Sequence, residues 1–222
     1  MATPKAFMSW SSGKDSALAL HEARRSREAE VIGLLTTISQ VYGRVAIHGV
    51  REELLDRQAA ALGLPVFKVA LPNPCTNEAY EARMNDAWAK LLAQGVRHVV
   101  FGDLFLEDLR AYRTQALALV GMKAIFPLWK RDTRRLAREI ILSGIVAHVT
   151  CVDPRRLDRS FAGRRFDEGF LHDLPRDVDP CGENGEFHTV VSDGPMFSAP
   201  IPVSIGPVVE RENFIYADVI PR

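Results

Sequence analysis

Short apolar runs alternate with amphipathic helical segments through the first 150 residues, and this alternation constrains the fold most strongly. The runs lack a regular polar alternation, which is typical of strands buried on both faces of a parallel sheet. Strands are predicted at residues 6–10, 31–38, 66–71, 98–101, 124–126 and 145–152, and helices at 16–25, 51–62, 77–94, 107–120 and 133–143. The repeated strand–helix unit predicts an α/β fold with a doubly wound, mostly parallel sheet.

The pattern changes after about residue 153. Residues 155–176 are rich in arginine and aspartate and predict one or two short helices, and residues 180–194 contain several glycines. Strand patterns follow at residues 187–192, 201–205 and 214–219. We therefore predict a first domain at residues 1–153 and a small C-terminal α+β region at residues 154–222.

Charge and composition exclude several classes of function. The chain carries 28 basic and 28 acidic residues, so it lacks the strong field that draws proteins onto DNA, and we expect no DNA partner. No apolar run reaches the ~18 residues of a membrane span, so we expect no membrane contact. Residues 1–6 lead directly into the first strand and leave no room for a signal peptide. Three scattered cysteines indicate reduced thiols and a cytoplasmic location.

The strongest functional signal lies between the first predicted strand and the first predicted helix. The residues there are Ser11, Ser12, Gly13, Lys14, Asp15 and Ser16. In a doubly wound sheet such a junction binds anions, because small residues let several N–H groups face one phosphate and the helix adds its positive end. The loop matches neither the Walker A motif nor the dinucleotide fingerprint. We predict that it binds phosphate; the structural alternative is a serine-rich turn capped by Asp15.

Two further groups carry candidate chemistry. Glu183 and Glu186, which are flanked by glycines, could bind an amine or hold a metal ion through water, and one of them could act as a general base on ammonia. The alternative is a solvated acidic turn. Asp103 directly follows the fourth predicted strand, where it faces the ligand crevice of such a sheet and could hold Mg²⁺ or substrate. Arg113, on the next helix, suits either phosphate or a surface salt bridge.

Residues 11–16 resemble the SGGKDS loop of the PP-loop ATP pyrophosphatases (N-type), with Ser12 in place of the first glycine. A Cβ at that position is tolerated freely only where φ is negative. The chain also resembles one branch, the diphthine–ammonia ligase family, in three further places. These are Gly102-Asp103 with Tyr112-Arg113, Pro127-Leu128-Trp129, and residues 182–189, which are similar to the family's EGGEYET stretch with Asn184 for glycine and His188 for glutamate.

The resemblance implies an enzyme that cleaves ATP between the α and β phosphates, adenylates a carboxylate and forms an amide. The family's named reaction amidates diphthine on elongation factor 2. ATP and Mg²⁺ are the implied cofactors, and the partners are ATP, a carboxylate-bearing acceptor (protein or small molecule) and ammonia or another amine; a homodimer is compatible with this. The alternative is a non-enzymatic ATP-binding module of the universal-stress-protein kind.

The resemblance also implies roles for individual residues. Those expected to be catalytic are Lys14, Asp103, Glu183 and Glu186. Those expected to bind ATP are Ser11, Ser12, Gly13, Lys14, Asp15 and Ser16, with Asp15 as the metal ligand. Those expected to contact the substrate are Gly102, Arg113, Gly185 and Thr189.

Overall fold

The computed structural model describes residues 3–222 and contains two sheets with helices between and around them. The first sheet has strands β1 (Lys5–Ser9), β2 (Glu30–Ser39), β3 (Arg44–Val45), β4 (Val66–Leu71), β5 (His98–Val100) and β6 (Lys123–Ile125). Five of them run parallel in the order β4-β2-β1-β5-β6, and β3 pairs antiparallel with the last two residues of β2. The chain moves to one side of β1 first and to the other side later, so a crevice opens between the carboxyl ends of β1 and β5.

Helices cover both faces of this sheet, as a doubly wound fold requires. They are α1 (Lys14–Ser26), α2 (Glu52–Leu62), α3 (Asn77–Ala93), α4 (Glu107–Leu119) and α5 (Thr133–Leu142). On one face, Trp88 and Leu91 of α3 and Leu117 of α4 share an apolar cluster with Phe7 and Val99. On the other, α1 and α2 belong to a larger cluster that also takes in the second sheet. The predicted helices are confirmed, with ends that differ by about two residues at most.

The second sheet is antiparallel. Its strands are β7 (Val146–Val152), β8 (Phe187–Asp193), β9 (Val203–Arg211) and β10 (Phe214–Pro221), in the order β8-β7-β10-β9. A short 3₁₀ helix (Arg159–Phe161) and α6 (Glu168–Asp173) precede β8, which confirms the prediction of one or two short helices there.

One strand was assigned to the wrong sheet. Residues 145–152 were expected to extend the parallel sheet, whereas β7 pairs antiparallel with β8 and β10. Ala147, Val149 and Val152 lie in the cluster that contains α1 and α2 and also Phe166 and Phe170. An antiparallel strand that is buried on both faces also lacks alternating polar residues, so the residue pattern alone does not distinguish a parallel from an antiparallel strand. The domain boundary at residue 153 stays a prediction.

Two further expectations concern a signal peptide and a membrane span. The expectation that there is no signal peptide depends partly on Met1 and Ala2, which lie outside the described residues. Within residues 3–222, no helix is both long enough and apolar enough to cross a bilayer.

A buried amide ties the first sheet to the second through α2. Gln58 Oε1 accepts from Trp10 Nε1 at 3.0 Å, and Gln58 Nε2 donates to the carbonyls of Ser12 (3.2 Å) and Val191 (2.7 Å). The Ser12 carbonyl also accepts from Val191 N at 2.8 Å. Gln58 is fully buried, so each of these bonds replaces a contact with water that the fold has removed.

Replacing Gln58 by leucine keeps the volume and removes all three bonds. We expect Gln58→Leu to lower the free energy of unfolding by about 2 to 4 kcal/mol, because Trp10 N–H and the Val191 carbonyl lose their partner inside the core. Urea denaturation measures this change. The matched control is Gln115→Leu on the exposed face of α4, which should shift stability by about 0.5 kcal/mol or less. Equal stabilities for the two variants would contradict the role given to Gln58.

Candidate active site

The phosphate-loop sequence lies where the fold places a ligand, between the end of β1 and the start of α1. Ser16 Oγ donates to the Gly13 carbonyl at 2.9 Å and accepts from Ser11 Oγ at 3.2 Å, which folds the loop back onto the first helical turn. A Cβ at Gly13 would lie 3.1 Å from both the His48 ring and the Thr189 carbonyl. Glycine therefore lets the C-terminal sheet approach the start of α1 closely.

Ser12 adopts a conformation that favours glycine. Its φ is +71°, so the condition under which the extra Cβ would be tolerated freely is not met. The strain of a non-glycine residue in this region is about 1 kcal/mol or more. Its Oγ is buried without a hydrogen-bond partner, and so is Oδ1 of Asp15. Both atoms belong to the first turn of the loop and helix, where an anion and its counter-ion would use them.

Lys14 lies under the site rather than in its opening. Its side chain is only 2% exposed, and Nζ donates to Asp15 Oδ2 at 2.9 Å and to the Cys181 carbonyl. The rings of Phe166 and Phe187 lie 5.3 and 5.1 Å from Nζ. Burial opposes the charge, but Asp15 and the other acidic groups outweigh it and raise the pKa of Lys14. Lys14 therefore links the phosphate loop to the loop that carries the glutamates.

Three carboxylates converge beside this lysine. Burial raises the pKa of Asp15 and Asp103, and it raises the pKa of Glu183 to about 7. Asp15 further raises the pKa of Asp103, and both raise that of Glu183. The Glu183 carboxylate is held by backbone N–H groups after β5, those of Leu104 (2.7 Å) and Phe105 (3.4 Å). A cluster of this kind attracts a cation and offers a proton acceptor near neutral pH.

Glu186 is occupied within its own loop. It is 1% exposed, and its two oxygens accept from Asp179 N, Asn184 N and Asn184 Nδ2 at 3.0 to 3.1 Å. Gly185, with φ at +86°, forms the turn between Glu183 and Glu186 and has open space around it. The structure thus brings Glu183 to the other carboxylates and places Glu186 behind them.

The residues expected to contact substrate surround the start of α1. Thr189 Oγ1 accepts from Lys14 N at 3.1 Å, so a strand of the second sheet caps the helix. A Cβ at Gly102 would lie 2.9 Å from the backbone of Asp15 and Ser16, which explains the need for glycine there. Arg113 pairs with Asp103, its Nε lying 3.1 Å from Oδ2.

Two histidines pack beside Gly13. The rings of His48 and His188 are 4.6 Å apart, and His48 Nδ1 lies 3.1 Å from the Thr189 carbonyl. Burial lowers the pKa of His48 to about 4 and lowers that of His188 well below its usual range. Both rings are therefore neutral near pH 7.

Sequence reasoning missed the groups that hold the loops in place. The Cys181 carbonyl and the Leu104 N–H are backbone atoms, and no residue pattern marks them. Gln58 had a visible signal, since it is a polar residue among the alanines and leucines on the apolar side of α2. His48, which no motif marks, packs against the phosphate loop.

These residues fit a nucleotide better than a metal ion alone. Within residues 3–222, no three or more histidine, cysteine, aspartate or glutamate side chains are arranged to hold a metal. Mg²⁺ in nucleotide enzymes is held by one or two carboxylates together with substrate phosphates, which suits the unpartnered Oδ1 of Asp15. The helix start and the Ser12 hydroxyl supply donors for those phosphates.

A parallel sheet with a serine–glycine–lysine loop at its switch point is consistent with the PP-loop class of ATP-using enzymes. The diphthamide synthase N-terminal domain model matches residues 4–124, and the C-terminal domain model matches residues 132–218. The chain belongs to the diphthamide synthase family. The resemblance inferred from the motifs is confirmed.

Curated relatives carry the name diphthine–ammonia ligase. The zebrafish (Danio rerio) protein is 27% identical over 188 residues, which cover 77% of this chain and 72% of the relative. The human protein is 26% identical over 196 residues, covering 82% and 72%. The Schizosaccharomyces pombe protein is 30% identical over 98 residues, which span 42% of this chain and only 16% of that longer relative. These relatives support an ATP-dependent ligase and give no support to a non-enzymatic module.

The raised pKa of Glu183 makes stability depend on pH in a defined direction. An ordinary glutamate titrates at about 4.3 in the unfolded chain, whereas Glu183 titrates at about 7 in the fold, so folding favours its protonated form. That stability is complete below pH ~4.3 and is lost as the pH rises through about 7. We therefore expect the unfolding free energy of the wild type to fall relative to Glu183→Gln between about pH 5 and pH 8.

Urea denaturation at a series of pH values tests this expectation. The control is Glu210→Gln on the exposed side of β9, which should keep the wild-type pH profile. If the Glu183→Gln profile runs parallel to that of the wild type, the assignment of the raised pKa to Glu183 is wrong.

Proposed function

We propose that this chain adenylates a carboxylate with ATP, releases pyrophosphate and then forms an amide with ammonia. The observation that carries the proposal is the meeting of the residue 11–16 loop with Asp15, Asp103 and Glu183 at the switch point of a parallel sheet. Hydrogen-bond donors for an anion lie in the same crevice as carboxylates, which suits a reaction that uses a triphosphate, its metal ion and an amine together. Family membership supports ATP as the activating substrate.

The nucleotide phosphates would lie against the start of α1. Ser12 offers a hydroxyl that has no partner within the protein, and the helix start offers N–H groups and the positive end of its dipole. The hydroxyls of Ser11 and Ser16 would have to turn from their bonds within the loop to donate to a phosphate. The acceptor carboxylate attacks the α-phosphorus, the bond to the bridging oxygen breaks, and pyrophosphate leaves. The protein contributes by holding the two reactants in line and by stabilising the leaving group.

Asp15 would hold Mg²⁺, and that ion would neutralise charge on the leaving pyrophosphate. Lys14 supports this role indirectly, because its ammonium fixes the other oxygen of Asp15 at 2.9 Å. Asp103, paired with Arg113, borders the same crevice and would face the acceptor.

Glu183 would handle the amine. Near pH 7 its carboxyl exists in both protonation states, so it can accept a proton as ammonia attacks the acyl carbon and AMP departs. The catalytic role expected for Glu186 stays a prediction. The contacts of that residue support a role in shaping the loop that presents Glu183.

The acceptor that the relatives' name supports is diphthine, with ammonia as the nitrogen donor. For this chain we propose the same chemistry on a protein acceptor, elongation factor 2, as the resemblance implies. The free, unpaired state of Cys75, Cys151 and Cys181 supports a cytoplasmic location.

Product analysis tests the reaction directly. Purified protein is incubated with ATP, Mg²⁺, ammonium and elongation factor 2 that carries diphthine. The proposal expects AMP and pyrophosphate in equal amounts, dependent on the acceptor. Formation of ADP and phosphate would show cleavage between the β and γ phosphates and would contradict adenylation. No turnover with this acceptor would remove diphthine as the substrate.

The metal role of Asp15 is tested by Asp15→Asn. We expect the affinity for ATP to fall by about tenfold or more with Mg²⁺ and to change little without it, since the lost carboxylate attracts the metal and repels the phosphates. Calorimetry under both conditions measures the difference. The matched control is Asp108→Asn, an acidic residue in the first turn of α4, which should bind normally. An equal loss in both conditions would show that Asp15 acts only by holding Lys14.

Substitutions of Glu183 and Glu186 should have different effects on turnover and on stability. Glu183→Gln should keep ATP affinity and lose turnover, because its carboxylate acts on the amine. Glu186→Gln should lower the unfolding free energy by about 1 to 3 kcal/mol, because a glutamine amide cannot accept all the N–H bonds of the loop. Calorimetry, turnover and urea denaturation on both variants separate these outcomes. Full turnover in Glu183→Gln would remove that residue from the mechanism.

A further inference from the structure

A second concave surface lies outside the site just described. It is a cavity of about 220 Å³ between the start of α5 and the segment after α6. Its rim carries Arg134, Arg138 and Arg176, and we call it the arginine pocket. Its apolar floor comes from Leu171, Leu174 and Val178, together with two prolines.

The positive charge of the arginine pocket is not neutralised by the protein. Within residues 3–222, none of its three arginines forms an ion pair, and no acidic side chain lines the cavity. The carboxylates of Asp132 and Asp179 accept backbone N–H bonds, and three others in the neighbouring segments are paired with other arginines. These pairs are Arg131–Glu139, Arg156–Asp177 and Arg164–Asp173. In a chain with no net charge, this pocket is therefore a local positive surface.

The pocket shares a segment with the candidate active site. Val178 lines the pocket, and three residues later the Cys181 carbonyl accepts from Lys14. Cys181 Sγ also lies 3.4 Å from the carbonyl of Thr133, the first residue of α5. An occupant of the pocket would thus lie against the back of the loop that presents Glu183.

We propose that the arginine pocket docks an acidic segment of the acceptor protein, with one apolar side chain of that segment on the pocket floor. This inference rests on the proposed function, because it requires the acceptor to be a protein. Charge complementarity identifies the segment: three unpaired guanidinium groups select carboxylates. The apolar floor favours a peptide over a free phosphate, because a phosphate gains nothing from aliphatic side chains while an anchoring side chain does.

Charge reversal on the exposed side of α5 tests the proposal. The test variant combines Arg134→Glu with Arg138→Glu, and the control combines Arg83→Glu with Arg135→Glu, which changes the net charge equally at exposed arginines that do not line the pocket. Binding of diphthine-carrying elongation factor 2 is measured without ATP, at about 50 mM and about 200 mM salt. A milder pair, Arg134→Gln with Arg138→Gln, is included in case the reversal disturbs the fold.

We expect the test variant to bind the acceptor at least about tenfold more weakly than the control and with a shallower dependence on salt. The KM for the acceptor should rise while kcat and the KM for ATP stay unchanged, and the glutamine pair should fall between the wild type and the reversed pair. Thermal unfolding of each variant confirms that the fold is intact.

Each other result overturns a defined part of the idea. Turnover by the wild type with equal acceptor binding in test and control variants would remove the docking site and leave the proposed function in place. If the wild type neither binds the acceptor nor turns it over, the proposed function is wrong, and the proposed occupant of the pocket falls with it. If the test variant loses a micromolar binding of tripolyphosphate that the control keeps, while both bind the acceptor equally, the pocket binds small polyanions and not a protein segment.

Discussion

The buried ammonium of Lys14 joins the two loops on which the candidate active site depends. It donates to Asp15 in the first turn of α1 and to the Cys181 carbonyl in the glutamate loop, with Phe166 and Phe187 beside it. A buried charge is stable only while its partners stay in place, and losing one of them costs several kcal/mol. The glutamate loop therefore cannot move away from the phosphate loop without leaving this charge unpaired. Together with the bonds of Gln58 and Thr189, this contact makes the C-terminal sheet and the parallel sheet form a single site.

The same contact changes where the positive charge for a triphosphate comes from. The resemblance implies that Lys14 binds ATP, but its Nζ is committed to Asp15 and to a carbonyl. What faces the crevice is the start of α1 and a group of carboxylates that raise one another's pKa. Such a site repels a bare triphosphate and accepts one that carries a divalent cation. In the proposed function, Mg²⁺ held by Asp15 would make this acidic pocket suitable for ATP.

The parts of this protein that depend on local sequence could be predicted, and those that depend on distant backbone atoms could not. The loop of residues 11–16 follows directly from small residues between a strand and a helix, and the structure places it at the switch point. The assignment of β7 failed because burial hides the difference between parallel and antiparallel neighbours. The position of Glu183 relative to Asp103 depends on the Leu104 N–H, which no side-chain pattern encodes. Gln58 could have been found, since a buried amide on an apolar helix face needs partners.

The histidine at position 188 fits the electrostatics of this site. The related motif has glutamate there, which in this fold would add another carboxylate beside a group whose pKa values are already raised. His188 packs against His48, and desolvation keeps both of these half-buried rings neutral near pH 7. The substitution therefore lowers the negative charge of the crevice without adding a positive one. Lys14, which lowers the pKa of both histidines, therefore gains no further carboxylate neighbour at position 188 beyond Asp15 and Glu183.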